Sequence, residues 1–275
     1  MKPVNFEYAR PADIASAVAL GGREGAAVKF IAGGQSLGPM LNLRLVQPDV
    51  LVDITAIEEL RHVEQNSDAL FIGACITHAD IEDGRVPDVT VGAMRSVAAG
   101  IAYRAVRNRG TIGGSLVHAD PSADWISALS VLGANAVIRG SRNERRVPVD
   151  RLMTGVFECG LSADEMLVGV EVPRLSSSAR WGYYKHCRKT GELAHAIGAY
   201  LSDPDRGVRR AVIGATGSRP IVFSDAARLF GEKPGQAVDR KSAEQAMAAG
   251  GIADPIEQQV HFVCLRRAIE QAHRA

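Results

Sequence analysis

Two stretches of this 275-residue chain have the residue types and spacing to hold an anion. The first is Ile31-Ala32-Gly33-Gly34-Gln35-Ser36-Leu37-Gly38, set where an apolar run gives way to a helix-compatible one, so that successive backbone N–H groups can turn toward one point. Glycine takes positive φ there without steric cost and admits a close backbone approach, while Gln35 and Ser36 add side-chain donors. A diphosphate is the natural guest. The second stretch, Arg107-Asn108-Arg109-Gly110-Thr111-Ile112-Gly113-Gly114-Ser115, repeats this chemistry with three glycines, hydroxyls at Thr111 and Ser115, and two arginines upstream. A glycine pair after a strand is by itself an ordinary turn. Two such stretches on separate subdomains make a clamp, because a diphosphate carries more charge than one set of N–H dipoles can offset. Neither stretch has the lysine of a Walker loop or the G-x-G-x-x-G spacing of a nicotinamide-type Rossmann domain. Replacing Gly34 or Gly113 with a β-branched residue is therefore expected to weaken binding far more than it weakens the fold.

The elements that must carry these stretches can be read from periodicity. Residues 6–8, 28–32 and 50–54 read as strands, with helices at 11–20 and 37–44 between them, so a small βαβ unit occupies the first fifty-odd positions. The unbroken apolar run at 50–54 predicts burial on both faces. Further strands are expected at 69–74, 136–139 and 167–172. Thr77 can cap a helix, residues 89–99 look helical, and 121–132 has a proline start with Trp125, Ile126, Leu129 and Leu132 able to share a face. Pro173 and the run Ser176-Ser177-Ser178 mark a boundary. Beyond it, residues 181–188, 194–201 and 208–214 read as three strands, and 241–249 and 256–272 as helices, with Val260, Val263 and Ile269 on or near an apolar stripe. The result is an α+β chain of three parts, with subdomains at 1–56 and 57–175 forming one unit and a further domain at 179–275.

Composition narrows the function. The 32 basic and 31 acidic residues leave a net charge of +1, so no global field draws in nucleic acid or an anionic membrane. No stretch approaches the length of a membrane span and the first residues lack a signal-like apolar run, which points to the cytoplasm. Cys75, Cys159, Cys187 and Cys264 are widely spread, and no two of the seven histidines stand at i and i+4, so no metal site is expected in this chain.

The two glycine stretches, together with Asp120-Pro121-Ser122-Ala123-Asp124, resemble those of the FAD-binding medium subunits of the xanthine dehydrogenase and carbon monoxide dehydrogenase group of molybdenum hydroxylases. The resemblance runs nearly end to end. It implies a two-subdomain FAD-binding fold of the vanillyl-alcohol-oxidase/PCMH type, followed by a C-terminal domain of a three-stranded antiparallel sheet with helices. It also implies that Ile31 through Gly38 (Ile31, Ala32, Gly33, Gly34, Gln35, Ser36, Leu37, Gly38) and Thr111, Ile112, Gly113, Gly114 and Ser115 wrap the FAD diphosphate, and that Asp124 contacts the flavin nucleotide. Ile101 corresponds to an apolar contact on the cofactor and Leu167 to one toward the adenine end. Lys185 and Arg188 match a basic segment near the flavin ring, where a cation favours a reduced, anionic flavin. Where some relatives have an aromatic close to the isoalloxazine, this chain has Leu193. The implied partners are a small [2Fe-2S] subunit and a large molybdopterin subunit, with FAD passing electrons from the former to an external acceptor. No catalytic proton-transfer residue is expected, since the flavin carries the chemistry. A stand-alone FAD-dependent oxidase or reductase, and a nucleotide-binding scaffold without turnover, are the alternatives.

Overall fold

The computed structural model describes residues 2–230 and 238–274. The chain begins with β1 (Glu7–Ala9), α1 (Ile14–Gly21), β2 (Val28–Ile31), α2 (Leu37–Asn42) and β3 (Val50–Asp53). Asp13 starts α1 by accepting from the Ser16 amide at 2.7 Å, and Gly22 follows the last turn. The three strands form an all-parallel sheet in the order β1-β3-β2. β3 is central, and its Val50, Leu51 and Val52 are buried, as a continuous apolar run in a parallel sheet requires. Because all three strands point the same way, the segment after β2 lies at their carboxyl ends, the edge where open α/β sheets take ligands.

The second group of elements comprises β4 (Val63–Gln65), β5 (Ala69–Gly73), α3 (His78–Glu82), α4 (Ala93–Ala99), α5 (Arg104–Arg107), α6 (Ile112–His118), α7 (Asp124–Leu132), β6 (Asn135–Gly140), β7 (Glu144–Pro148), α8 (Val149–Leu152), β8 (Met153–Gly155), β9 (Glu158–Cys159) and β10 (Glu165–Pro173). Its antiparallel sheet runs β4-β5-β10-β6-β7. Thr77 caps α3 as expected, in a reciprocal box: its hydroxyl accepts from the Asp80 amide at 3.1 Å while Asp80 accepts from the Thr77 amide at 3.0 Å. All nine residues of α7 are buried, which is more than the one apolar face the sequence suggested. The reason is that α7 is covered on one side by β10, α4 and α8 and on the other by the strands of the C-terminal sheet.

That last sheet is built from β11 (Arg180–His186), β12 (Ala196–Asp203), β13 (Val208–Gly214) and β14 (Ile221–Phe223), all antiparallel and in that order. It therefore has four strands where three were expected. β14 is only three residues long and follows Pro220, too short to show a period, and it is recruited by pairing Ile221, Val222 and Phe223 with Ile213, Val212 and Ala211. α9 (Arg240–Ala249) and α10 (Pro255–Arg274) close the chain, α10 packing along β11 and β12. Ile269 is buried on α10 as read from the stripe, whereas Val260 and Val263 are half-buried and the inner face is completed by Phe262, Leu265, Ala268 and Ala272. Among the described residues no helix is long and apolar enough to cross a membrane.

His261, on α10, has no exposed surface, and among the described residues neither ring nitrogen has a hydrogen-bond partner, the Glu257 carboxylate standing 3.9 Å from Nε2. Burial lowers its pKa to about 4. An imidazole whose pKa is depressed on folding contributes stability that is complete above its unfolded value of about 6.5 and is lost as pH falls toward 4. His261→Leu removes two orphaned polar atoms, each of which costs on the order of 1 to 3 kcal/mol when buried. Thermal melts should show a higher Tm for His261→Leu than for the wild type, with a wider gap at pH 5 than at pH 7.5; a lower Tm at both pH values would show that the ring is doing structural work its contacts do not reveal.

Candidate functional site

The two glycine stretches meet. Gly33 lies flat against the Arg109–Gly110 peptide, so closely that a Cβ on Gly33 would overlap the Arg109 carbonyl, and the Arg109 Nε reaches the Gly33 carbonyl at 3.4 Å. Ala32 faces Gly114, whose Cβ would stand 4.0 Å from that of Ala32. Gly34 has φ of 70°, a conformation in which a side chain is strained, and the chain then turns directly into α2. Gln35 and Ser36 are exposed, and the Gln35 amide donates back to the Gly33 carbonyl at 3.1 Å. Among the described residues, the amides of Gly33, Gly34, Gln35 and Ser36 have no acceptor in the chain. The amide of Gly38 is paired with the Gly34 carbonyl at 2.9 Å. Four free donors in sequence thus stand at the carboxyl edge of a parallel sheet, the kind of arrangement that can hold an anion.

The second stretch is organised differently from the matching cradle that was expected. It is the start of α6, with the Thr111 hydroxyl accepting from the Gly114 amide at 3.0 Å. The Ile112 and Gly113 amides donate to the Ile76 and Ala74 carbonyls at 3.0 Å each, and the Ser115 amide to the Thr111 carbonyl at 3.0 Å. These amides are already spent. Gly113 is required for packing, since a Cβ there would come within 2.5 Å of the Ala74 side chain and 2.7 Å of its backbone. This segment is thus the rigid backing on which the first is seated. Ile112 and Leu167 are fully buried, their side chains belonging to the core, while Ile31, Leu37, Ile101 and Ser115 are half-buried around the junction segments.

The upstream arginine Arg107 is not free to meet a ligand. Its guanidinium pairs with both oxygens of Glu82 at 2.8 and 3.0 Å and donates to the Ile101 and Ala102 carbonyls at 2.9 and 3.2 Å. This fixes the turn in which Ala102 has φ of 42°. His78 is locked nearby: its amide donates to the Gly110 carbonyl at 2.9 Å, and the Trp125 indole donates to its Nδ1 at 3.0 Å. Burial, helped by the Arg107 charge, lowers the His78 pKa to about 4, so the ring is neutral and its proton sits on Nε2.

Asp124, the first residue of α7, is 7 % exposed and turned toward β11. Its Oδ1 accepts from the Tyr183 hydroxyl at 2.8 Å and its Oδ2 from the Lys185 ammonium at 3.0 Å; Lys185 also donates to the Gly100 carbonyl at 2.8 Å. Lys185 and Arg188, read together in the sequence, separate here. Arg188 points outward and pairs with Glu192 at 3.1 Å. Leu193 is exposed on the segment between β11 and β12, and in that segment Gly191 packs against the Tyr103 ring. Sequence reading missed Tyr183 as a site residue. The available signal was the alternation of Trp181, Tyr183 and Lys185 on one strand face, obscured by Tyr184 on the other.

Residues 4–175 match the family described as the FAD binding domain in molybdopterin dehydrogenase. The chain is 37 % identical over 196 residues to the carbon monoxide dehydrogenase medium chain of Hydrogenophaga pseudoflava, covering 71 % of this chain and 68 % of that one. To the nicotine 6-hydroxylase medium subunit of Paenarthrobacter nicotinovorans it is 35 % identical over 221 residues, covering 79 % and 77 %. A solved structure of carbon monoxide dehydrogenase from Hydrogenophaga pseudoflava superposes with a TM-score of 0.87 at 30 % identity, over 100 % of this chain and 99 % of that one. With a matched domain that spans more than half its length and a fold shared end to end, the chain belongs to the FAD-binding medium subunits of the molybdopterin dehydrogenases.

Proposed function

We propose that this chain binds FAD at the seam between the Ala32–Leu37 and Thr111–Ser115 segments and works in the cytoplasm as the electron-transfer subunit of a heteromeric molybdenum hydroxylase. The reading takes a small [2Fe-2S] subunit as electron donor, a large molybdopterin subunit as the place of substrate hydroxylation, and an external acceptor. The observation that carries it is the row of four unpaired amides from Gly33 to Ser36, held open by the contact of Gly33 with Arg109.

Bound FAD would supply the redox chemistry, accepting and releasing electrons singly or in pairs. The chain's own residues do the positioning. The amides of residues 33–36 and the Ser36 hydroxyl would hold the diphosphate, with Thr111, Gly114 and Ser115 walling the opposite side. Lys185, fixed by Asp124 and Gly100, places one positive charge at the domain junction, which suits the flavin end of the cofactor. Ile101 offers a half-buried apolar contact beside it.

Two measurements test this. The purified chain should bind FAD stoichiometrically, seen as quenched flavin fluorescence and a structured visible band, with affinity in the sub-micromolar range, roughly 8 kcal/mol or better. It should also co-purify with its two partner subunits; a chain that never takes up FAD sinks the reading. The two glycines should behave differently from each other. Gly34→Ala meets only the tip of Ile31 at 3.3 Å, so its cost is the left-handed backbone, on the order of 1 to 2 kcal/mol, while relaxation of φ swings the amides away and weakens FAD binding at least tenfold. Gly113→Ala collides with the Ala74 backbone and should lower Tm more than Gly34→Ala does, with less effect on the FAD affinity of the folded fraction.

A further inference from the structure

A carboxylate as buried as Asp124 stays ionised only if both oxygens find donors. Desolvation raises its pKa, while the Lys185 charge and the Tyr183 and Lys185 hydrogen bonds pull the other way. Tyr183 supplies the sole hydrogen bond to Oδ1 among the described residues, and it reaches Asp124 from a strand of the C-terminal sheet, two residues from Lys185 on the same strand face. The ammonium of Lys185 has three donors, of which two are committed, to Asp124 and to Gly100. The other titratable groups around Asp124 are turned elsewhere. On α3, His78 is bound by Trp125; on α6, His118 stacks on Phe157; on β13, Arg210 donates to the Val131 carbonyl at the far end of α7; on α4, Arg95 donates to the Glu82 carbonyl, and Gly100, which follows α4, gives its carbonyl to Lys185.

Resting on the FAD reading above, we infer that Tyr183 is a positioning residue for the flavin site: its hydroxyl occupies Oδ1 of Asp124, and through Asp124 it holds Lys185 in place with one ammonium N–H left for the cofactor. Removing the hydroxyl leaves Oδ1 bare in a buried position, which favours the protonated acid. A protonated Asp124 no longer anchors the ammonium. The consequence is a pH-dependent affinity, weak where Asp124 is protonated and recovered where it ionises.

The test is an FAD titration of the full chain from pH 6 to pH 8.5, with thermal melts of the same apo proteins. The wild type should bind with nearly constant affinity across this range. Tyr183→Phe should bind about tenfold more weakly at pH 6, as loss of one hydrogen bond to a charged buried group implies, and approach the wild type at pH 8.5. In an Asp124→Asn background, which has no carboxylate to protonate, Tyr183→Phe should add no pH dependence. A Tyr183→Phe variant with wild-type affinity at every pH, or with a loss equal at every pH and matched by a fall in Tm, overturns the inference and leaves the FAD reading standing. Failure of the wild-type chain to bind FAD at any pH overturns both.

Discussion

The burial of α7 on every side is the constraint from which most of this architecture follows. A helix with no solvent face must be covered by apolar surface all round, and here the second sheet and its helices supply one half while β12 and β13 supply the other. The C-terminal sheet is therefore held against the cofactor-binding region through a helix both share. That arrangement also buries the start of α7, where Asp124 stands. A carboxylate in that position has to be matched, and the match comes from β11 through Tyr183 and Lys185. Packing thus dictates electrostatics: once α7 is enclosed, the strand beside its first turn must carry a cation and a hydroxyl on the same face, and Lys185 is delivered to the Gly100 carbonyl at the domain junction.

The junction of the two glycine stretches is the second consequence of close packing. A backbone-to-backbone approach of the kind made by Gly33 and Arg109 admits no side chain, and the same is true of Gly113 against Ala74. The two glycines serve one end from opposite directions. Gly113 lets α6 sit tightly on the second sheet's loop, and Gly33 lets the first subdomain's loop sit tightly on the segment that leads into α6. Among the described residues the outer segment, residues 33–36, keeps its amides free, while beneath it the amides of residues 112–115 are all paired. Orientation of the donors is thereby set by a stack of satisfied backbone groups rather than by the loop's own stiffness.

Much of this was legible beforehand. The parallel unit at the start showed in the strand-helix-strand pattern, and central β3 in its unbroken apolar run; the α3 cap showed in Thr77. That backbone approaches closely at the two glycine stretches showed in their glycines, and Gly33 against Arg109 and Gly113 against Ala74 are such approaches. What could not be read is what depends on distant partners. Nothing in Thr111-Ile112-Gly113-Gly114-Ser115 reveals that its amides go to Ala74 and Ile76, so the stretch looked like a second cradle when it is a backing. β14 is too short to carry a period and exists because β13 offers it an edge. Lys185 and Arg188 are three residues apart in sequence, yet one turns inward to Asp124 and the other outward to Glu192, since strand alternation places them on opposite sides and β11 ends between them.

The distribution of charge around the seam gives these packing details their functional weight. Arg107, which the sequence offered as a counter-charge for a diphosphate, is saturated by Glu82 and two carbonyls, and Lys185 is tied to Asp124. Among the described residues the first stretch therefore offers an anion chiefly amide dipoles, with the exposed Arg109 guanidinium in contact with it at the Gly33 carbonyl. Dipoles act over short range and depend on direction, whereas a lysine or arginine reaches an anion from many geometries. A site that relies on dipoles must hold them still. The paired layer under residues 33–36 does so, which is why Gly113, packed on Ala74, matters to the geometry of Gly33 above it. The same logic applies to Lys185, whose ammonium is held from two sides by Asp124 and Gly100. Both arrangements are fixed by packing, the Lys185 ammonium by the burial of α7 and the row of free amides by the Gly33 contact, so that the positions of these donors depend on how the parts of the chain are packed together.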